Sequence, residues 1–142
     1  MMNTNKENAV VGAGAYSQLP NEEQRPTAEE RAIAQRYWPV DWHRERGCWR
    51  LKISGFWLAD ADTPEEAFRL GRIALAAYAK VPHDHIPKHF TREFVHLIAN
   101  CYRKSYADHS KRSEAKFWEM LQELEWEIRA WHMQQMDSYK NN

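Results

Sequence analysis

Four histidines, at positions 83, 85, 89 and 96, lie close together in the chain, and they are the residues best suited to metal chemistry. Imidazoles one helical turn apart, as His85 and His89 would be, can share an ion. Pro87 interrupts that turn, however, and no nearby cysteine or suitably spaced carboxylate completes a four-ligand set. They therefore read as loop and helix-surface histidines, and no metal is expected. Asp84 beside His85 has the makings of a base and its orienting partner, but no serine or cysteine nucleophile has a recognisable setting. No catalytic residue, no enzyme activity and no cofactor are expected. The two cysteines, Cys48 and Cys101, are far apart and form no C-x-x-C unit, which fits small core residues in a reducing compartment.

Binding chemistry is better represented. Trp49, Leu51 and Ile53 alternate with Arg50 and Lys52, the pattern of a half-buried strand, and Ser54-Gly55 suits a two-residue hairpin turn. That turn pairs Ile53 with Phe56, Lys52 with Trp57 and Leu51 with Leu58, so one face collects Trp49, Leu51, Ile53, Phe56 and Leu58. The other face presents Arg50, Lys52 and Trp57. A third strand over Trp42 to Arg46, ended by Gly47, would add Arg44 and Arg46 beside them. Cations set around an aromatic are common on nucleic-acid-binding surfaces; they also form ordinary solvated sheet faces in which arginine stacks on tryptophan.

The elements around this unit are punctuated clearly. Residues 1 to about 26 are polar, with Gly12, Gly14, Pro20 and Pro26, and read as a disordered arm. Thr27 and Glu30 make a capping box for a short helix over 28–38 carrying Ile33, Ala34, Tyr37 and Trp38 on one face, stopped by Pro39. Asp62-Thr63-Pro64-Glu65-Glu66 starts a helix over 64–80, whose small residues Ala67, Gly71 and Ala74 let it lie close against the sheet. Pro87 and the series Ile86, Phe90, Phe94, Leu97, Ile98, Cys101 predict a helix over 87–106. A last helix, begun by Ser110 or Ser113 and exceeding twenty residues, carries Phe117, Leu121, Leu124, Ile128 and Trp131 as its core stripe. The expected fold is α+β: a short antiparallel hairpin or three-stranded sheet backed by a helix (40–80), plus a C-terminal helical hairpin (86–137), all within one domain from 27 to 142.

The stretch Val40-Asp-Trp-His-Arg-Glu-Arg-Gly-Cys-Trp-Arg-Leu-Lys-Ile53, with Leu58, Asp62-Thr-Pro-Glu-Glu-Ala67 and Ala74 to Tyr78, resembles the ethylene-response-factor, or APETALA-like, DNA-binding domain. Similar modules occur in phage endonucleases, and the strand pair followed by Thr-Pro-Glu-Glu-Ala also looks like HicB-type antitoxins. The first resemblance implies a three-stranded sheet lying in the DNA major groove, with Arg44 and Arg46 on the first strand and Arg50 and Lys52 on the second touching bases and phosphates. The matching region is about a quarter of the chain. It departs from the family in a shortened second hairpin and in Leu58-Ala59-Asp60-Ala61 at the end of the third strand, where Asp60 and Asp62 would repel phosphate.

Charge and the last helix point elsewhere. Twenty Lys and Arg balance twenty Asp and Glu, so no net field draws the chain to nucleic acid or lipid; a basic stretch over 80–116 precedes an acidic one containing Glu119, Glu123, Glu125, Glu127 and Asp137. Trp126 and Met133 fall nearly opposite the Phe117–Ile128 stripe, a second apolar strip that suits a partner surface or a self-association seam unless another segment covers it. No apolar signal core and no run of ~20 apolar residues occurs, so a cytoplasmic chain with no membrane partner is expected. Two functions follow. One is a double-stranded DNA-binding accessory or regulatory protein using the outer sheet face; the other is a protein-binding adaptor or inhibitor, of the sort phages and plasmids encode against host or defence complexes, acting through aromatic and acidic surfaces.

Overall fold

A computed structural model describes residues 24–107 and 114–141. Most of the polar arm and the proposed starts of the last helix at Ser110 and Ser113 lie outside the described residues. The chain divides into two compact units, Met1–Ile33 and Ala34–Asn142. No helix among the described residues is long and apolar enough to cross a membrane.

In the first unit the capping box forms. The Glu30 amide donates to Thr27 Oγ1 at 3.1 Å and the Thr27 amide donates to Glu30 Oε1 at 2.9 Å, satisfying two of the donors that every helix start leaves open. The bond from Thr27, reinforced by Arg25, holds the Glu30 carboxyl below the ordinary carboxylate range. The helix opened here, α1, spans Ala28–Gln35 and stops short of the expected residue 38. Two tight backbone bonds, Tyr37 N–H to Ala34 O and Val40 N–H to Tyr37 O, replace its last turn, because the residue before a proline, here Trp38, is pushed out of helical geometry.

The second unit is built on an antiparallel sheet in the order β1 (Val40–His43), β2 (Cys48–Ile53), β3 (Phe56–Ala61). Ser54 and Gly55 both have positive φ, 49° and 89°, as the primed two-residue hairpin turn requires. Ile53 faces Phe56 and Lys52 faces Trp57 as expected, but the register then shifts and Leu51 faces Ala59 in place of Leu58. Leu58 is the extra residue of a β-bulge, which re-aims the end of β3 so that Asp60 joins Arg50 on the outer face. Trp49, Leu51 and Ile53 are buried on the inner face.

Helix α2 (Pro64–Ala79) covers that face, with Thr63 Oγ1 accepting from the Glu66 amide at 3.2 Å. Gly71 is the point of closest approach: a Cβ placed there would lie 2.9 Å from Leu51 Cβ, so only glycine allows this helix-to-sheet distance. Lys80, at φ 56°, ends the helix with its amide donating to Ala77 O while the Val81 amide donates to Ala76 O, a Schellman closure.

A single turn of 3₁₀ helix, His83–His85, follows, and helix α3 runs from Arg92 to Ala107, five residues later than the expected start at 87. Arg72 on α2 explains the delay. Its guanidinium donates to Ile86 O at 2.7 Å and to Pro87 O at 2.8 Å, occupying the carbonyls that a helix begun at Pro87 would need. Thr91 caps α3 instead, its Oγ1 accepting from the Phe94 amide at 3.0 Å. Arg72→Leu, which keeps the stem but leaves two part-buried carbonyls unpaired, is expected to cost ~1.5–3 kcal/mol; equilibrium unfolding in urea checks this.

Helix α4 (Glu114–Asn141) is 28 residues long and runs antiparallel to α3, as the Lys104–Glu123 ion pair at 3.2 Å and the Phe94–Trp131 ring contact at 5.0 Å require. Leu121, Leu124 and Ile128 enter the core, whereas Phe117, expected with them, is exposed. It lies beyond the packed body, touching Trp118, and Met120 takes the next inward place.

Cys101 is buried on α3, where burial first, and then Glu127 and Glu123, push its thiol up from 9.0 to about 11. A folded value above the unfolded one means that this thiol's contribution to stability is intact below pH 9 and is lost as pH rises to 11. At ~1.4 kcal/mol per pH unit the loss approaches ~2–3 kcal/mol. Cys101→Ala is expected to flatten the fall of stability between pH 9 and 11 by that amount, read from denaturation midpoints against wild type.

Candidate functional site

The outer sheet face assembles most of the cations expected there, but in a different arrangement. Arg44 and Arg46 are not on the first strand, which ends at His43; both lie in the turn 44–47. His43 builds that turn. Its Nδ1 accepts from the Arg46 amide at 3.2 Å and its carbonyl from the Gly47 amide at 2.9 Å, with Gly47 at φ 62°, where a side chain is disfavoured. The turn folds Arg46 back over Trp57, 5.3 Å from the ring centroid; Arg50 lies 5.5 Å from it, and the His43 ring meets it edge-on at 4.8 Å.

Register brings two carboxylates against the arginines that flank Trp57. Asp41, Arg50 and Asp60 line up across the three strands. Arg50 Nε donates to Asp41 Oδ1 at 3.0 Å, and Arg46 sits 3.5 Å from Asp60. Arg44 and Lys52 carry no ion pair among the described residues. The face therefore holds the arginine-on-tryptophan stack of a solvated sheet, with Lys52 opposite Trp57 on the middle strand and Arg44 in the turn 44–47. A phosphate would have to compete with Asp41 for Arg50 and with Asp60 for Arg46.

The histidines do not converge. His83, His89 and His96 are exposed, while His85 stacks on His132 of α4 at 4.5 Å, 15° between ring planes. No group of three or more His, Cys, Asp or Glu that could hold a metal occurs among the described residues. Burial, then the nearby Asp60, also holds the Cys48 thiol above its ordinary value, so both thiols are protonated and poorly nucleophilic at neutral pH.

A strip of exposed apolar side chains lies on α4. Trp126 is 65% exposed and Met133 64%, on the side away from Leu121, Leu124 and Ile128, and Met136, 50% exposed, lies on the flank between. No described segment covers this strip. Trp118, half exposed, borders it with the Lys80 ammonium 4.0 Å from its ring centroid. The sequence reading placed Trp126 and Met133 here but missed Met136 and Trp118, which both lie about 80° round the helix from Trp126 and so fall outside the spacing that aligns Trp126 with Met133. Comparison with protein-family models, with curated proteins and with solved structures gives no match.

Proposed function

We propose that this chain is a non-enzymatic protein-binding module, an adaptor or inhibitor, whose contact surface is the outer face of α4. The observation that carries this reading is the exposure of Trp126 and Met133 at about two-thirds each on a helix whose opposite side buries Leu121, Leu124 and Ile128. Large aromatic and thioether side chains held out of a well-packed core are costly to leave in water and are the residue types that anchor interfaces. Affinity capture from the native host tests it: wild type should retain a specific protein after nuclease treatment, and a Trp126→Ala/Met133→Ala variant should lose it. Retention of the same protein by both would defeat the reading.

A second reading, duplex DNA on the outer sheet face, is favoured by Lys52, which faces Trp57 across the hairpin, and by Arg44 in the turn 44–47, neither of which carries an ion pair among the described residues. On that reading, Arg44→Ala with Lys52→Ala flattens the slope of log affinity against log salt by about two, whereas Arg50→Ala, already balanced by Asp41, changes it less. No duplex binding at low salt would remove this alternative.

A further inference from the structure

We infer that the stacked rings of His85 and His132 form an acid-sensitive latch, holding the C-terminal end of α4 against the 3₁₀ turn at neutral pH and releasing it on acidification. The ring centroids lie 4.5 Å apart and the planes within 15° of parallel, so two separate stretches of chain meet through one pair of titratable groups. Imidazole is the side chain that ordinarily changes charge between about pH 5 and 8. Its place in the helix gives this contact its effect. Ile128 is buried and Trp131 and His132 are partly covered, whereas residues 133–139 are all exposed. His132 is thus the last described residue of α4 with any cover.

Two features set the cost of charging the stack. His85 Nδ1 is buried without a hydrogen-bond partner, and a charged imidazole carries a proton on both nitrogens, which leaves a buried N–H with nothing to accept it. A second charge on His132 would then sit 4.5 Å from the first. The surroundings offer little relief. From α2, Arg72 already places a guanidinium on the carbonyls of Ile86 and Pro87. The turn carries His83 and Asp84, and Lys88 and His89 follow it, all four exposed. On α4, Arg129 lies about one turn before His132 and is held by Glu125; α3, whose Phe94 meets Trp131, exposes Arg92, Glu93 and His96. No carboxylate among the described residues pairs with either ring. In the opened chain both imidazoles take up protons freely at the ordinary value of about 6.5. Acid therefore favours the open state, and the latch is intact above that pH and is lost as pH falls below it.

The test measures hydrogen exchange of residues 129–139 in the full chain at about pH 7.5 and about pH 5.5, with each rate divided by the intrinsic rate at that pH. Two unit charges 4.5 Å apart lower an equilibrium constant roughly fivefold even under the full screening of water, so wild type should open about fivefold more readily, or beyond, at the lower pH. His85→Phe keeps a ring but removes both costs, and should abolish the difference. His132→Phe removes the paired charge alone and should reduce it. His89→Phe, at an exposed ring, should leave the acid response as in wild type. Equal opening of wild type at both pH values, or an acid response undiminished in His85→Phe and His132→Phe, overturns the inference.

Discussion

Gly71→Val is expected to destabilise the protein by ~2–3 kcal/mol, and Gly71→Ala by less but in the same direction. Helix propensity alone gives the opposite sign for alanine, since replacing a mid-helix glycine gains ~0.5–1 kcal/mol. The clash decides the outcome. A Cβ at position 71 would meet Leu51 Cβ and Cγ, each at 2.9 Å, and Leu51 is wholly buried in the middle strand, with no room to retreat. Overpacking of this kind typically costs ~1–3 kcal/mol. Denaturant midpoints for the two variants check it, and a neutral or stabilising Gly71→Ala would show that α2 can lift from the sheet at little cost.

Leu124→Ala and Trp126→Ala, two residues apart on α4, are expected to behave as opposites. Leu124 is fully buried, so truncation removes apolar contacts and leaves a cavity, at ~2–5 kcal/mol. Trp126 is mostly in solvent, and its truncation should cost less than ~1 kcal/mol, within the range of surface substitutions that touch little. The contrast matters for function because it separates residues that hold the fold from residues held for something outside it. A large loss of stability in Trp126→Ala would assign that side chain to the fold and remove the motive for a docking face.

The strand alternation of Trp49, Leu51 and Ile53, the Ser54-Gly55 turn, the Thr63-Pro64 helix start and the small residues of α2 were all legible in the sequence, because each depends on neighbours close in the chain. Features set by contacts across the fold were not. The bulge at Leu58 follows from how β3 meets the core, and it moved Asp60 onto the cation face. Pro87 signalled a helix start, yet Arg72, fifteen residues earlier, holds the Pro87 carbonyl, and Thr91 became the cap. The outer cations were correctly grouped by type, but their compensation by Asp41 and Asp60 depends on strand register. The exposed strip of α4 was legible from its spacing opposite Leu124 and Ile128, whereas its exposure depended on what else packs there.

The outer face of α4 is tested most directly by placing a photo-reactive phenylalanine analogue at position 126 in one variant and at position 57 in another, then irradiating each in the native host. Position 126 is expected to yield a covalent adduct with one protein, with position 57 giving none above background. Adducts with DNA from position 57, and nothing from position 126, would contradict the assignment of α4 as the recognition surface and move it to the sheet.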